Sequence, residues 1–98
     1  MSYRYKLHPI AQEEYEDSIS WYFSRSLKTA SNFVTMVEKE FVNICNDPQR
    51  NRNEYKNYYE FTLQKYPFTT IYTIEESLQL IIIIAIYHQK RQPVNKYR

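Results

Sequence analysis

The spacing of apolar residues along the chain changes period several times, and each change predicts a new element. Near the start, Tyr3, Tyr5 and Leu7 alternate with polar or charged residues, which predicts a strand over residues 3–8. Pro9 follows at once, and proline suits the first turn of a helix because its missing N–H would have no partner there. We therefore expect the strand to lead directly into a helix.

Two successive helices are predicted from apolar residues spaced by three and four. The first covers residues 9–27, with acidic residues crowded into its early turns where they suit the helix dipole, and the second covers residues 29–46. The apolar positions of the second helix are Ala30, Phe33, Val34, Val37, Phe41, Ile44 and Cys45. Because the link between the helices is short, they should form an antiparallel hairpin.

Three strands are predicted in the second half of the chain, after a polar, basic stretch at residues 48–57 that is typical of a loop. They cover residues 58–65, 68–74 and 78–88, with a turn at residues 75–77 and a basic tail at residues 89–98. The last strand is apolar on both faces, so we expect it at the centre of the sheet.

The order strand, helix, helix, strand, strand, strand predicts an α+β fold. The two-helix hairpin should pack on one face of a mostly antiparallel four-stranded sheet, in a single domain over residues 1–98. The other face would be less covered, and Tyr58, Glu60 and Thr62 should point to it because they alternate with apolar residues. We expect a functional site on that less covered face.

Charge is distributed unevenly between the two halves of the chain. Residues 1–47 hold five cations and seven acids, and residues 48–98 hold eight cations and four acids, so an anionic partner should meet the second half. The chain has no glycine, which excludes a glycine-rich phosphate loop. Cys45 stands alone, which excludes an internal disulfide and fits a reducing, cytoplasmic setting, and the apolar runs are too short for a membrane helix.

The segment KYPFTTIYTIEESLQLIIIIAIYHQKRQP, residues 65–93, carries a recognisable series of features. In order they are the step Tyr66, Pro67 and Phe68, then Tyr72, the acidic turn Glu75 and Glu76, and an apolar strand that ends in His88, Arg91 and Pro93. In this series the chain resembles the RelE/ParE superfamily of toxins (plasmid stabilisation type) from bacterial type II toxin–antitoxin systems. The first half agrees, since a strand is followed by a helix with Trp21 and Tyr22 near its end.

The resemblance implies a small toxin that a cognate antitoxin from the same operon holds inactive. Members of the superfamily differ in target: some cleave mRNA in the ribosomal A site, and others inhibit DNA gyrase without known chemistry. Many members carry an arginine at the position of Glu60, and RNA-cleaving members often use such a cation to hold the scissile phosphate. Glu60 therefore departs from the RNA-cleaving pattern.

A metal-independent ribonuclease needs a group that moves protons and cations that neutralise the phosphate. His88 and Arg91 are the predicted catalytic residues, because imidazole titrates near neutral pH and the guanidinium fork binds phosphate. The predicted nucleic-acid contacts are Arg50, Arg52, Lys56, Lys65 and Lys90. A structural alternative stays open for each, in which His88 bonds a backbone group or a carboxylate and Arg91 only pairs with an acid.

Three functions are therefore compatible with the sequence: ribosome-dependent mRNA cleavage as the first hypothesis, gyrase inhibition as the second, and an inactive relative that only binds an antitoxin as the third. In the first, the rigid end of the apolar strand would hold His88 and Arg91 at the rim of the less covered face, next to the basic loop. No cofactor or metal is predicted, because His8 and His88 have no evident third ligand.

Overall fold

The fold is a five-stranded sheet with two helices on one side. The computed structural model describes residues 3–55, 57–63 and 65–88, and residues 52, 54 and 55 by their backbone alone. In chain order the elements are β1 (Arg4–Leu7), α1 (Pro9–Phe23), α2 (Leu27–Asn46), β2 (Arg52–Tyr55), β3 (Tyr58–Thr62), β4 (Phe68–Glu75) and β5 (Leu80–His88), with 3₁₀ turns at Pro48–Arg50 and Glu76–Leu78. The strand order across the sheet is β1-β5-β4-β3-β2. β1 pairs parallel to β5, and the other pairs are antiparallel. β5 therefore lies inside the sheet, as its two apolar faces predict.

Each helix begins at a side-chain cap that satisfies a backbone N–H of its first turn. At α1, Nδ1 of His8 accepts a hydrogen bond from the N–H of Ile10 at 3.2 Å, and at α2 the hydroxyl of Ser26 plays the same role for Thr29. α1 ends at Phe23 rather than at residue 27, and the second helix begins correspondingly earlier than predicted. Among the described residues, neither helix combines the length and the apolar character that crossing a bilayer requires.

The predicted element order and the α+β class are confirmed, with one addition. The stretch predicted as a loop, residues 48–57, contains β2, which pairs with β3 through Arg52 opposite Glu60 and adds a fifth strand to the predicted four. β2 consists of polar, charged and tyrosine residues without apolar alternation, and a strand at the edge of a sheet does not need an apolar face. β5 begins at Leu80 rather than at residue 78, because the 3₁₀ turn before it ends at Gln79 with a φ of 49°.

Aromatic rings fill the space between the helices and the sheet, on the face that we call the inner face. Phe33 of α2 is fully buried, and its ring centroid lies 4.8 to 5.2 Å from those of Tyr22, Tyr66 and Phe68. Tilted and edge-to-face contacts of this kind add to the free energy of area burial. The inner face is therefore a packed aromatic core that fixes the helices on the sheet.

Two buried tyrosines of the inner face differ in how their hydroxyls are satisfied. The hydroxyl of Tyr72 donates to the carbonyl of Pro48 at 2.6 Å and accepts from Nδ2 of Asn51 at 3.0 Å. Burial raises the pKa of Tyr72 to about 12, and the hydrogen bond from Asn51 opposes that rise. The buried hydroxyl of Tyr15 has no hydrogen-bond partner within the described part of the chain. Tyr72 thus ties the sheet to the turn after α2, whereas Tyr15 contributes only its ring.

β5 changes the direction of its side chains in the middle of its isoleucine run. Two adjacent residues of β4 pair with Ile83 and Ala85, so Ile84 between them has no partner and forms a β-bulge. Before the bulge, odd-numbered residues such as Ile83 point to the inner face, and after it Ile86 and His88 do. The bulge therefore decides on which side of the sheet the strand delivers its last side chain.

The face away from the helices, which we call the outer face, carries mostly hydroxyl, tyrosine and aliphatic groups. On β3, β4 and β5 its members include Tyr58, Glu60, Thr62, Thr69, Ile71, Thr73, Ile82, Ile84, Ala85 and Tyr87. Ile71 and Ala85 are fully buried in a small cluster, whereas Thr62 is exposed. The outer face thus has a small apolar centre and a polar border.

Candidate site at the end of the interior strand

His88 ends β5 on the inner face, against helix α1. Its backbone pairs with Phe68, the first residue of β4, and its ring meets the Phe68 ring edge-on, with 5.2 Å between centroids and an angle of 82°. Because neighbours on a strand point to opposite faces, Tyr87 packs instead with Ile71 and Ala85 on the outer face. The half-buried imidazole is therefore held where the first residue of β4 pairs with the last residue of β5.

A cleft of about 140 Å³ opens between His88 and helix α1. It is lined by Glu14, Asp17, Ser18 and Trp21 of α1 and by Phe68, Ile86 and His88 of the sheet. Glu14, Asp17 and Trp21 follow each other at spacings of three and four, so they share one side of the helix. We call this feature the α1–β5 cleft: it has two carboxylates, an indole wall and an apolar base.

Glu14 also supplies a partner to an edge of β5 that β1 does not reach. β1 pairs with β5 only as far as Leu7 opposite Ile83, because α1 begins at Pro9. Further along, Oε1 of Glu14 accepts a hydrogen bond from the N–H of Ile86 at 2.9 Å. A buried N–H left without an acceptor costs about 1–3 kcal/mol. Glu14 therefore holds the end of β5, and with it the position of His88.

His88 does not lie where the sequence predicts. The expected position is the rim of the less covered face, next to the basic loop, but His88 lies on the inner face beside Glu14 and Asp17. The bulge at Ile84 is the cause, because it reverses the side-chain directions that follow it. Two carboxylates beside an imidazole repel a phosphate by charge. The catalytic role of His88 stays a prediction.

Two of the predicted cations lie away from His88. Arg50 lines a separate cleft of about 240 Å³ together with Glu40 and Asp47, near the C-terminal end of α2. The backbone of Arg52 lies in β2, three strands from β5, which is roughly 14 Å at about 4.8 Å per strand. Arg50 therefore has carboxylates as neighbours, and the basic loop does not join the end of β5.

Lys65 is a described cation at the same end of the sheet as His88. It is exposed in the turn before β4, and the first residue of β4 pairs with His88, so both side chains belong to the same end of the sheet. Lys56, Lys90 and Arg91 lie outside the described residues, and their predicted roles stay predictions. No group of three or more His, Cys, Asp or Glu side chains suited to a metal ion occurs within the described ranges.

Glu14 and Asp17 are the site residues that the sequence analysis missed. From the sequence they are expected only among the acidic early turns of α1, where acidic residues suit the helix dipole. Two features together identify them. They share one side of the helix with Trp21, and this side lies beside the part of β5 that extends past the end of β1. That second condition depends on the sheet register, which the sequence does not show.

Comparison with known proteins places this fold among toxins. The family model described as "ParE toxin of type II toxin-antitoxin system, parDE" matches residues 5–93. The comparison with curated proteins gives no match.

Three solved structures illustrate the similarity of fold. The chain is similar to the chromosomal ParDE system of P. aeruginosa, with a TM-score of 0.71 and 15% identity over 89% of this chain and 96% of that chain. It is similar to the intact E. coli RelBE toxin–antitoxin complex, with a TM-score of 0.69 and 16% identity over 92% of this chain and 100% of that chain. It is also similar to the RelBE2 toxin–antitoxin complex of Mycobacterium tuberculosis, with a TM-score of 0.62 and 15% identity over 90% of this chain and 99% of that chain.

Proposed function

The chain belongs to the ParE toxin family of type II toxin–antitoxin systems, within the RelE/ParE superfamily, and from this premise we propose that it arrests growth by binding DNA gyrase. In this proposal a cognate antitoxin binds the toxin and holds it inactive. Two of the similar structures are toxin–antitoxin complexes, which supports a partner of that kind.

The surroundings of His88 are the main reason to prefer a binding toxin over an RNA-cleaving one. The imidazole faces helix α1 and shares its cleft with Glu14 and Asp17, and these carboxylates oppose the approach of a phosphate. On the outer face, Glu60 lies where many relatives have an arginine that holds a phosphate. Glu60 therefore replaces the cation at one of these positions, and two carboxylates lie beside the imidazole at the other.

The outer face is the surface that we assign to the target. It offers Tyr58 and the exposed hydroxyl of Thr62 around a small apolar centre. Tyrosine is enriched in protein interfaces because it combines a large apolar ring with a hydrogen-bonding group. Such a surface suits contact with a folded protein.

A supercoiling assay tests this function. Purified toxin, freed from its antitoxin, is titrated into gyrase with relaxed plasmid, and we expect supercoiling to fall as toxin rises. Addition of antitoxin should restore supercoiling, which controls for non-specific inhibition. Full supercoiling at saturating toxin would overturn the proposal.

The variant His88→Ala separates binding from acid–base chemistry. Removal of a general acid or base lowers a rate by about 10²–10⁴-fold, whereas a binding toxin without chemistry at His88 should keep its gyrase inhibition within about threefold. The matched control is His8→Ala, which removes the imidazole that caps α1. A hundredfold loss of growth arrest in His88→Ala alone would favour catalysis.

Ribosome-dependent mRNA cleavage is the second candidate, and the shared end of the sheet favours it. Lys65 precedes the strand whose first residue pairs with His88, so a cation and an imidazole belong to one end of the sheet. Sequencing of RNA 5′ ends after expression of the toxin alone tests this candidate. New ends inside translated codons, lost in Lys65→Ala and His88→Ala, would support it over gyrase inhibition.

A further inference from the structure

The turn between the two helices carries an exposed apolar patch with cations beside it. We call residues 21–28 the hairpin tip. Trp21, Phe23 and Leu27 of the tip are 37%, 59% and 69% exposed, and Arg25 and Lys28 are exposed as well. Apolar side chains next to cations suit a surface that is both apolar and anionic. We propose that the hairpin tip binds the surface of an anionic lipid bilayer, with Phe23 and Leu27 inserted between the lipid headgroups.

The backbone of the hairpin tip is fixed by its own hydrogen bonds. The N–H groups of Arg25 and Ser26 both donate to the carbonyl of Tyr22 at 3.0 Å, and the hydroxyl of Ser26 caps α2. The hydroxyl of Ser24 donates to the carbonyl of Trp21 at 2.7 Å. The apolar side chains of the tip are therefore presented on an ordered turn, which lowers the entropic cost of binding.

The charge of the tip differs from that of the rest of the first half of the chain. Residues 18–32 hold two cations and no acid, whereas the other residues of the first 47 hold three cations and seven acids. A further cation, Lys65, is exposed beside Tyr66, whose ring centroid lies 5.5 Å from that of Tyr22 at the end of α1. The carboxylate nearest in sequence, that of Asp17, lines the α1–β5 cleft. Cations thus border the apolar patch, and each cation near an anionic bilayer strengthens binding.

The position of Arg25 favours lipid over a single-stranded nucleic acid as the anionic partner. Its guanidinium lies 3.6 Å from the centroid of the Trp21 ring, so this face of the indole is not open to a nucleic-acid base. Leu27 has no ring to stack on a base, whereas a bilayer buries aliphatic and aromatic side chains equally well and takes tryptophan at the headgroup level. A second copy of the chain is disfavoured as a partner, because the cations of two tips repel each other.

Trp21 is the single tryptophan of the chain, so its fluorescence reports on the hairpin tip. We expect vesicles of phosphatidylglycerol to shift the emission of the full-length toxin to the blue, and vesicles of phosphatidylcholine to leave it unchanged. Leu27→Ser should weaken vesicle binding about tenfold, because it removes an inserted apolar side chain. Lys28→Gln should weaken it about fivefold, because it removes one cation.

The matched control is Val42→Ser, which changes an exposed apolar residue of α2 outside the tip and should leave vesicle affinity within about twofold. Equal affinities of Leu27→Ser and Val42→Ser would overturn the proposal, and so would equal binding to both kinds of vesicle. Displacement of the toxin from vesicles by a single-stranded oligonucleotide would also overturn it, because the tip would then bind nucleic acid. The supercoiling assay contains no lipid, so this inference and gyrase inhibition can fail independently.

Discussion

The two faces of the sheet are built from the same strands but carry different side chains. The inner face holds large rings, with Phe33 and Tyr72 fully buried between helices and sheet. The outer face holds a small cluster around Ile71 and Ala85, bordered by hydroxyls such as that of Thr62. Stability is therefore concentrated on one face, and the other can change its polar residues at little cost to folding.

The largest test of this comparison is a truncation on each face. Phe33→Ala should lower the free energy of unfolding by about 3–5 kcal/mol, because it removes a ring that contacts three others. Ile84→Ala, on the outer side and half-buried, should lower it by about 1 kcal/mol. Urea unfolding measures both values. Equal losses would show that the outer face contributes as much to stability as the inner face.

The next test uses the pH dependence of stability to measure the burial of the Tyr72 phenol on the inner face. Tyrosine in the unfolded chain ionises near pH 10, whereas burial raises the pKa of folded Tyr72 to about 12. The contribution of Tyr72 is therefore complete below pH 10, and it falls as pH rises towards 12, by about 1.4 kcal/mol per unit. Urea midpoints between pH 8 and 11.5 should show this loss, and Tyr72→Phe should show a shallower one. An unchanged slope in the variant would contradict the burial of the phenol.

A smaller effect separates the two buried tyrosines. Tyr72→Phe should cost about 1–2 kcal/mol, because it leaves the Pro48 carbonyl without its donor. Tyr15→Phe should cost nothing or stabilise the protein, since the Tyr15 hydroxyl is buried without a hydrogen bond among the described residues. Thermal unfolding of both variants checks the difference. A large loss in Tyr15→Phe would mean that its hydroxyl has a partner.

The smallest effect on stability is expected at the border of the outer face, where the functional effect should be large. Thr62→Arg should change the free energy of unfolding by less than about 0.5 kcal/mol, because the side chain is exposed. It should weaken gyrase inhibition about tenfold or more, since a new charge enters the proposed contact surface. Thr35→Arg on the exposed side of α2 is the matched control. Equal inhibition by both variants would remove the outer face as the contact surface.

The fold was largely predictable because most elements have a clear period. The spacing of α2 identifies the side chains that the structure buries, from Ala30 to Cys45, except Val34, which is half-buried. The alternation in β3 separates Phe61 from Glu60 and Thr62 correctly. β2 could not be predicted, because an edge strand of polar and charged residues has the same composition as a loop.

The candidate site was less predictable for a reason that lies in β5. A run of consecutive isoleucines has no alternation, so it does not reveal which residues point to the helices. The bulge at Ile84 is therefore invisible in the sequence, and the predicted face of His88 was wrong. Glu14 was missed for a related reason, since its partner is a backbone N–H that becomes available only where β1 ends.

The extra residue in β5 also governs how relatives of this toxin should be compared. A one-residue alignment gap fits equally well anywhere in the four isoleucines, and whether that extra residue is present decides on which side of the sheet the terminal histidine lies. Two chains that end this strand in histidine share a site only if they also share the unpaired residue. The number of residues between the tyrosine of β4 and that histidine is therefore the first quantity to match before any role is transferred between them.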